Sequence, residues 1–271
     1  METRCIACLA CISACPLKAL SEQGRKISVD RTVCNGCGAC VAVCPSGAWE
    51  LLGVEYSVED LALELMKDRV FFSTSRGGVT LSGGDPVYQF EASLLLLKKL
   101  KEAGIHTALD TCGMVEIDKL HKLLEYTDLL LYDLKLGDDM LHQRYTGCSN
   151  QLILKNLALV ADELRRQSRK INLWIRTPLI PGVTATENNL QTLGSFISHN
   201  VEDVLERWEL CAFNNLCRDK YLHLGREWEF AQTPLLTKKD LQYWESVAGN
   251  SGVNPKKIFA TGPTRIETSP I

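Results

Sequence analysis

Eight of the twelve cysteines in this chain of 271 residues lie between positions 5 and 44, in a repeated pattern. The stretches CIACLACISACP, from Cys5, and CNGCGACVAVCP, from Cys34, share the spacing C-x2-C-x2-C-x3-C-P at an offset of 29 residues. Each iron of a four-iron, four-sulfur (4Fe–4S) cluster takes one thiolate from the protein. The repeat therefore predicts a ferredoxin-like module that binds two 4Fe–4S clusters.

The spacing also predicts which cysteines share a cluster. Three cysteines at two-residue intervals wrap one face of a cluster, and the fourth, followed by proline, leaves that loop and reaches the other cluster. The two ligand sets are then Cys5, Cys8, Cys11 and Cys44, and Cys34, Cys37, Cys40 and Cys15. Structural zinc is the alternative, although zinc favours paired C-x2-C knuckles separated by a longer stretch.

The overall composition excludes several classes of protein. A net charge of −3 gives no basic surface for nucleic acid. The longest apolar run, Leu94 to Leu97, is far shorter than the roughly 20 residues of a membrane span, and the N-terminus has no signal-peptide pattern. Cysteines grouped for metal ligation indicate a reducing compartment. We therefore expect a cytoplasmic protein that binds neither nucleic acid nor a membrane.

Beyond Trp49 the cysteines become sparse, and predicted strands and helices alternate. This rhythm is typical of parallel strands joined by helical crossovers, in an α/β barrel or an open doubly wound sheet. We predict two domains, a ferredoxin-like α+β module over residues 1–52 and an α/β domain over 53–271. The predicted strands cover residues 77–84, 105–111, 128–135, 171–182, 207–213 and 257–262, and the predicted helices cover 57–72, 85–104, 115–126, 152–167, 187–200 and 238–249.

Polar residues collect where these strands end, which is the edge at which α/β barrels bind ligands. They are Ser82 to Asp85, Asp110 to Cys112, Asp133 to Lys135, Arg176 and Asn214. Each has a structural alternative: Gly-Gly-Asp-Pro is also a common tight turn, and the two aspartates and the lysine also suit helix caps and a solvated strand end. The turn is not a P-loop, because no Gly-Lys-Ser/Thr follows its glycines.

These segments together resemble the activating enzymes of glycyl radical enzymes, within the radical S-adenosylmethionine (SAM) superfamily. The matching stretches are GGVTLSGGDP, HTALDTCG, DLLLYDLK, RYTGCSNQLILKNL, WIRTPLIPGVT and ELCAFNN, in family order from residue 77 to about 230. The resemblance implies a partial (β/α) barrel of radical SAM type, with the two-cluster module as its N-terminal part.

The same resemblance implies a site for SAM at the strand ends. Gly83 and Gly84 would meet the amino end of its methionine moiety, although the family usually has glutamate where this chain has Asp85. The activases often carry a histidine near the nucleotide where this chain has Asn214. The positions carried over to the SAM site are Gly83, Gly84, Asp110, Thr111, Asp133, Leu134, Lys135, Arg176 and Asn214.

One departure from the family concerns its catalytic cluster. The defining C-x3-C-x2-C motif, whose three thiolates leave one iron open for SAM, does not occur in these 271 residues. The triplet at Cys5, Cys8 and Cys11 has a first gap one residue too short. We therefore expect an N-terminally truncated member of the family. A third 4Fe–4S cluster is expected only if the missing motif is present, and the sequence offers no catalytic side chain.

The resemblance predicts an activase that cleaves SAM and generates a glycyl radical on a partner enzyme. Its expected partners are the glycine-loop peptide of a glycyl radical enzyme and an electron donor such as flavodoxin or ferredoxin, and its expected state is a monomer. The competing hypothesis is a non-catalytic iron–sulfur electron-transfer protein with a degenerate SAM-type barrel. A metal-free hydrolase or isomerase has little support, because the five histidines are scattered singly.

Overall fold

The computed structural model of the protein describes residues 4–24, 26–166 and 170–266. The chain divides into two compact units. The first unit extends to Tyr56 and includes the later segment Leu222–Arg226, and the second comprises Ser57–Tyr221 and the residues from Glu227 onward. The predicted boundary at residue 52 lies just before this division, whereas no local feature of the sequence assigns Leu222–Arg226 to the first unit.

The first unit is small and has little apolar core. Its strands β1 (Leu20–Gln23) and β2 (Lys26–Val29) form an antiparallel pair, and its short helices are α1 (Ala10–Ala14) and α2 (Ala39–Ala42). Its buried apolar residues among those described are Cys11, Ala19, Leu20 and Ala48. So small a core contributes little stability to a domain of this length, which makes bound metal the expected source of stability.

The second unit is built on one parallel sheet of six strands. In chain order they are β3 (Gly78–Leu81), β4 (His106–Thr111), β5 (Leu129–Asp133), β6 (Asn172–Leu179), β7 (Leu205–Ala212) and β8 (Ile258–Thr261). Their spatial order equals their chain order, and every neighbouring pair is parallel. A doubly wound sheet reverses its strand order at a switch point. The sequential order is instead that of a barrel, left open here between β3 and β8.

Helices follow the strands, mostly within a few residues of the predicted limits. They are α3 (Val58–Met66), α4 (Arg69–Ser75), α5 (Phe90–Glu102), α6 (Ile117–Leu124), α7 (Asp139–Thr146), α8 (Gln151–Arg166), α9 (Glu187–Asn200), α10 (Arg218–His223) and α11 (Lys238–Gly249). A single helix over 57–72 was wrong, because the chain breaks between α3 and α4 around Asp68. Apolar spacing hides this break, since Leu65 and Phe72 pack into the same core on either side of it.

The two faces of the sheet differ in chemistry. Side chains that point towards the helices, such as Leu109, Ile175 and Trp208, are fully buried in one large apolar core. On the other face, Asp133, Arg176 and Glu209 lie side by side in the strand register. The sheet therefore presents charged groups on its concave face and near its carboxyl edge. None of the described helices is long and apolar enough to cross a membrane.

Candidate functional site

The two cysteine loops have the same backbone conformation, as the sequence repeat predicts. Gly36 and Gly38 have positive φ angles of 74° and 77°, and the residues 29 positions earlier, Ala7 and Leu9, have 54° and 61°. Positive φ is unfavourable for residues with a side chain. Ala7 and Leu9 nevertheless have positive φ in the first loop, so backbone preference alone does not determine the shape of that loop. A shared loop shape is what two loops that bind the same type of cluster would need.

The fourth cysteine of each repeat accepts a backbone hydrogen bond at sulfur. The N–H of Ala19 lies 3.3 Å from Cys15 Sγ, and that of Ala48 lies 3.2 Å from Cys44 Sγ. The Ser46 hydroxyl also lies 3.7 Å from Cys44 Sγ, and these contacts lower the pKa of Cys44 to about 7. Donors directed at sulfur stabilise a thiolate, which is the form that binds metal.

The cysteines line two cavities. A small cavity is lined by Cys5, Cys8, Cys11 and Cys44, together with Ile6, Leu9, Ile27, Ser46, Ala48 and Trp49. A large cavity of about 560 Å³ is lined by Cys15, Cys34, Cys37 and Cys40, and Cys5 also borders it. Each cavity thus contains one cysteine triplet and the fourth cysteine of the other repeat.

Single-ion binding has a different geometry. Within the described ranges, no three His, Cys, Asp or Glu side chains are grouped closely enough to hold one metal ion. Sulfurs distributed around a cavity fit a cluster of several irons, whereas zinc needs four ligands converging on one point. The donor set therefore fits iron–sulfur clusters better than structural zinc.

In the second unit, a line of polar contacts runs across the strand ends. Ser82 Oγ donates to Asp110 Oδ2 over 2.8 Å, and Arg176 Nη1 donates to the same oxygen over 3.2 Å. The Nε of Arg176 lies 3.4 Å from Glu209 Oε2, an ion pair without hydrogen-bond alignment, so this buried N–H keeps no hydrogen-bond partner. Thr261 completes the line by donating to Glu209 over 3.1 Å.

Lys135 adds a second cation to this edge. Its Nζ donates to Asp133 Oδ2 over 2.9 Å. Burial alone would lower the pKa of Lys135, but the charge of Asp133 and of Asp110 outweighs burial and raises it. The pKa of Arg176 is also raised, because nearby anionic groups outweigh its burial. Both cations therefore stay charged across the physiological pH range, beside carboxylates of opposite sign.

The glycine turn after β3 is open. A Cβ added at Gly83 or Gly84 would meet no heavy atom within 4 Å among the described residues. The carboxylate of the neighbouring Asp85 is engaged in hydrogen bonds within the protein: it accepts from Thr111 Oγ1 at 2.9 Å and from the N–H of Cys112 at 3.0 Å. The turn thus exposes backbone to a ligand, while the Asp85 side chain fixes the turn to the end of β4.

Three of the predicted SAM-contact residues have side chains away from this group. Thr111 is buried and donates to Asp85, and Leu134 is buried with its N–H bonded to the Arg176 carbonyl. Asn214 is exposed, and its side-chain oxygen accepts from the N–H of Leu216. The structure therefore brings together Gly83, Gly84, Asp110, Asp133, Lys135 and Arg176, and it offers only backbone at Thr111 and Leu134.

Sequence reasoning missed Glu209, Cys211 and Thr261. Glu209 is a carboxylate within an apolar strand, and its position two residues before Cys211 places both on the concave face. Burial and the charge of Glu209 raise the pKa of Cys211 to about 11 against the opposing effect of Arg176, so the thiol stays protonated. An acidic residue interrupting a buried strand was the available signal for Glu209.

Comparisons with known proteins match one family to the N-terminal part of the chain and another to a region that extends into the second unit. The 4Fe–4S dicluster domain family matches residues 1–55, and the radical SAM superfamily matches residues 34–192. The chain is 38% identical over 259 residues to the trans-4-hydroxy-L-proline dehydratase activating enzyme of Clostridioides difficile, covering 94% of this chain and 82% of that protein. It is 35% identical over 229 residues to the (2S)-3-sulfopropanediol dehydratase activating enzyme of Klebsiella oxytoca, covering 83% and 70%.

Among solved structures, the chain is similar to a domain of a pyruvate-formate lyase-activating enzyme from Bacteroides vulgatus. The TM-score is 0.54 at 28% identity, and the match covers 69% of this chain and 99% of that one. The two proteins are therefore similar in both fold and sequence over the matched residues.

Proposed function

Because this chain belongs to the radical SAM superfamily and, within it, to the activating enzymes of glycyl radical enzymes, we propose that it cleaves SAM reductively to place a glycyl radical on a partner enzyme. The observation that carries this proposal is the 38% identity with an activating enzyme across 94% of the chain. The charged strand ends and the paired cysteine cavities give that relationship a physical basis.

The cysteine cavities support two 4Fe–4S clusters in the first unit. Cys5, Cys8, Cys11 and Cys44 would hold one cluster at the small cavity, and Cys34, Cys37, Cys40 and Cys15 would hold the other at the large cavity. With four thiolates each, both clusters are fully ligated by protein and have no open iron. Their role in the proposal is to carry electrons. Such a set of thiols also needs a reducing compartment, so we place the protein in the cytoplasm.

The strand ends of the second unit support SAM binding through opposite charges. The methionine moiety of SAM carries an amino group and a carboxylate, and bound SAM supplies, on one-electron reduction, the species that takes hydrogen from the partner's glycine. Lys135 and Arg176 suit the carboxylate, while Asp110 and Asp133 suit the cationic groups. The exposed backbone of Gly83 and Gly84 can hydrogen-bond SAM without steric conflict.

A third, SAM-binding cluster does not fit the cysteines of this sequence. C-x3-C-x2-C is absent from the 271 residues, and the remaining thiols at Cys112, Cys148, Cys211 and Cys217 are far apart in sequence. No step of the proposed function therefore runs through a third cluster. This observation favours the second candidate function, a non-catalytic electron-transfer protein with a SAM-type barrel.

One experiment separates the two candidates. The chain is purified anaerobically, its iron is counted, and it is incubated with SAM and dithionite while 5′-deoxyadenosine is measured. About eight irons are expected from two clusters and about twelve from three. Formation of 5′-deoxyadenosine by the chain, alone or after an upstream C-x3-C-x2-C segment is added, supports the activase. SAM binding without cleavage in either form supports electron transfer, and failure to bind SAM contradicts the proposed site.

The proposed partners follow from the same family. We propose that the chain, acting as a monomer, receives electrons from a flavodoxin or ferredoxin and acts on the glycine loop of a glycyl radical enzyme. The dehydratases activated by its relatives are suitable probes, namely trans-4-hydroxy-L-proline dehydratase and (2S)-3-sulfopropanediol dehydratase. A glycyl radical signal in electron paramagnetic resonance (EPR) on either enzyme identifies the partner class, and its absence on both excludes these two.

A further inference from the structure

The two cysteine cavities of the first unit have different electrostatic surroundings. Among the described residues, the side chains that line the small cavity include no ionisable group besides the cysteines, and the walls are mostly apolar, with Ile6, Leu9 and Ile27. The large cavity is lined by Lys26, Arg31, Glu50 and His223 as well as by its cysteines. Among the described residues, this lining thus has two cations, Lys26 and Arg31, and one carboxylate, that of Glu50.

The arginine is held at the large cavity. The Arg31 guanidinium donates a hydrogen bond from Nη2 to the backbone carbonyl of His223, in the segment that joins the first unit from far along the chain. This anchor fixes a permanent cation at the cavity wall. Glu50 is the opposing charge there, and it reduces the effect without cancelling both cations.

The large cavity is also wetter. Cys34 and Cys37 are exposed, whereas in the set at the small cavity only Cys8 is exposed and Cys11 is buried. A cluster gains one negative charge on reduction, so water and nearby cations stabilise the reduced state. Water and nearby cations therefore both stabilise a reduced cluster more strongly in the large cavity than in the small one.

Hydrogen bonds to sulfur give a smaller, opposing difference. The N–H of Ala19 donates to Cys15 at the large cavity and the N–H of Ala48 donates to Cys44 at the small one, over 3.3 and 3.2 Å, so these two donors cancel. The Ser46 hydroxyl, 3.7 Å from Cys44 Sγ, is an additional donor for the small cavity only, because the equivalent position of the first repeat is Leu17. One long neutral contact to sulfur is weaker than a fixed full charge.

We propose that the cluster of the large cavity has the higher reduction potential, and that Arg31 is the residue that raises it. The first electron delivered to this unit by a low-potential one-electron donor rests on that cluster, which passes from the 2+ to the 1+ state with no bond made or broken. The second electron reduces the cluster of the small cavity at a lower potential. The inference rests on the two-cluster part of the proposed function and does not depend on SAM chemistry.

The test is a redox titration of the anaerobic, cluster-loaded protein with dithionite, followed by EPR. Two one-electron waves are expected. Arg31→Gln should shift only the higher wave, so that this cluster is about two- to tenfold less reduced at the wild-type midpoint, as one unit charge at this range predicts. Glu50→Gln should shift the same wave in the opposite direction, and Ser46→Leu should lower only the other wave.

Arg31→Gln and Glu50→Gln are expected to shift the higher wave in opposite directions, so either variant tests the inference if the other loses its clusters. Iron counting reveals such a loss. A single unresolved two-electron wave overturns the inference. It is also overturned if Arg31→Gln moves the lower wave, or if the charge variants that retain both clusters move neither. Because the readout is potential alone, failure here leaves the SAM-cleavage test unaffected, and failure of SAM cleavage leaves this result standing.

Discussion

At the scale of single residues, Gly113 is confined by the buried hydroxyl of Tyr132. A Cβ added at Gly113 would lie 1.8 Å from Tyr132 Oη, which donates to the Ile153 carbonyl over 2.7 Å. We expect Gly113→Ala to lower the free energy of unfolding by about 3 kcal/mol or more, because the ring must move and a buried hydrogen bond is lost. Urea unfolding followed by circular dichroism measures this change.

The matched control for that substitution is Gly104→Ala. Gly104 has a φ of 72°, almost the same as the 70° of Gly113, but its added Cβ meets nothing within 4 Å among the described residues. It should cost only the backbone strain, about 1 kcal/mol. Equal losses in the two variants would show that backbone conformation, rather than the contact with Tyr132, determines the residue at position 113.

Lys135 provides the residue-scale test of the SAM site. Lys135→Met removes the cation beside Asp133 while keeping much of the side-chain volume, and we expect it to weaken SAM binding about tenfold, the effect of one charge-assisted hydrogen bond. Isothermal titration calorimetry under anaerobic conditions measures the affinity. Lys99→Met is the control, because Lys99 pairs with the exposed carboxylate of Glu59, on a helix rather than at the strand ends. An unchanged affinity in Lys135→Met would remove this residue from the proposed site.

The sequence was informative about residues whose spacing has chemical meaning. The cavity that each cysteine lines could be predicted, because a fixed interval along the chain becomes a fixed geometry, and the binding of clusters by these cysteines stays a prediction. Glu209 could not, because its importance comes from lying beside Arg176 in the strand register, and register is not visible in one strand alone. The buried orientation of Thr111 likewise depends on Asp85, 26 positions away.

At the scale of elements, the two cysteine loops allow a comparison within one molecule. Ala7 and Gly36 occupy equivalent positions with φ angles of 54° and 74°. Gly36→Ala introduces a strained side chain with no contact within 4 Å among the described residues, so we expect about 1 kcal/mol of destabilisation and faster cluster loss. Ala7→Gly removes the same strain and should slow or leave unchanged the loss of its cluster, because the unfolded chain gains entropy in compensation.

The rate at which visible absorption is lost in the presence of a chelator measures both loop variants. The pair should differ in sign or at least in size, with Gly36→Ala clearly faster than wild type. If both variants lose their clusters faster, the methyl group of Ala7 makes a contact that stabilises its loop. The two repeats are then equivalent in backbone conformation but not in side-chain contacts.

Helix and strand positions were predictable to the extent that one face is apolar. The six strands were anticipated because buried parallel strands produce short apolar runs. Helix α7 was missed because its sequence, DMLHQRYT, has almost no apolar periodicity. Its ends define it instead: Asp138 accepts from the N–H of Leu141 at 2.8 Å, and Gly147 ends the helix in the left-handed conformation.

At the scale of the whole molecule, the two units differ in what holds them together. The second unit contains one large apolar core and a smaller one under the same sheet. The first unit has four buried apolar residues among those described, and one of them, Cys11, is a predicted cluster ligand. Sequence composition indicated enough apolar residues for a core, but it could not show that nearly all of the buried apolar residues among those described lie in the second unit, nor that Leu222–Arg226 joins the first.

Removing the clusters should therefore unfold one unit and spare the other. When clusters are destroyed with ferricyanide and EDTA, the first unit loses its main source of stability, since metal binding and folding are coupled in so small a core. Hydrogen exchange read by mass spectrometry should then show residues 4–56 fully exchanging while strands β4 to β7 keep their protection. The matched sample is the same protein kept anaerobic and loaded. If β4 to β7 lose protection together with residues 4–56, the two units fold as one cooperative body, and if residues 4–56 stay protected, their stability does not come from metal.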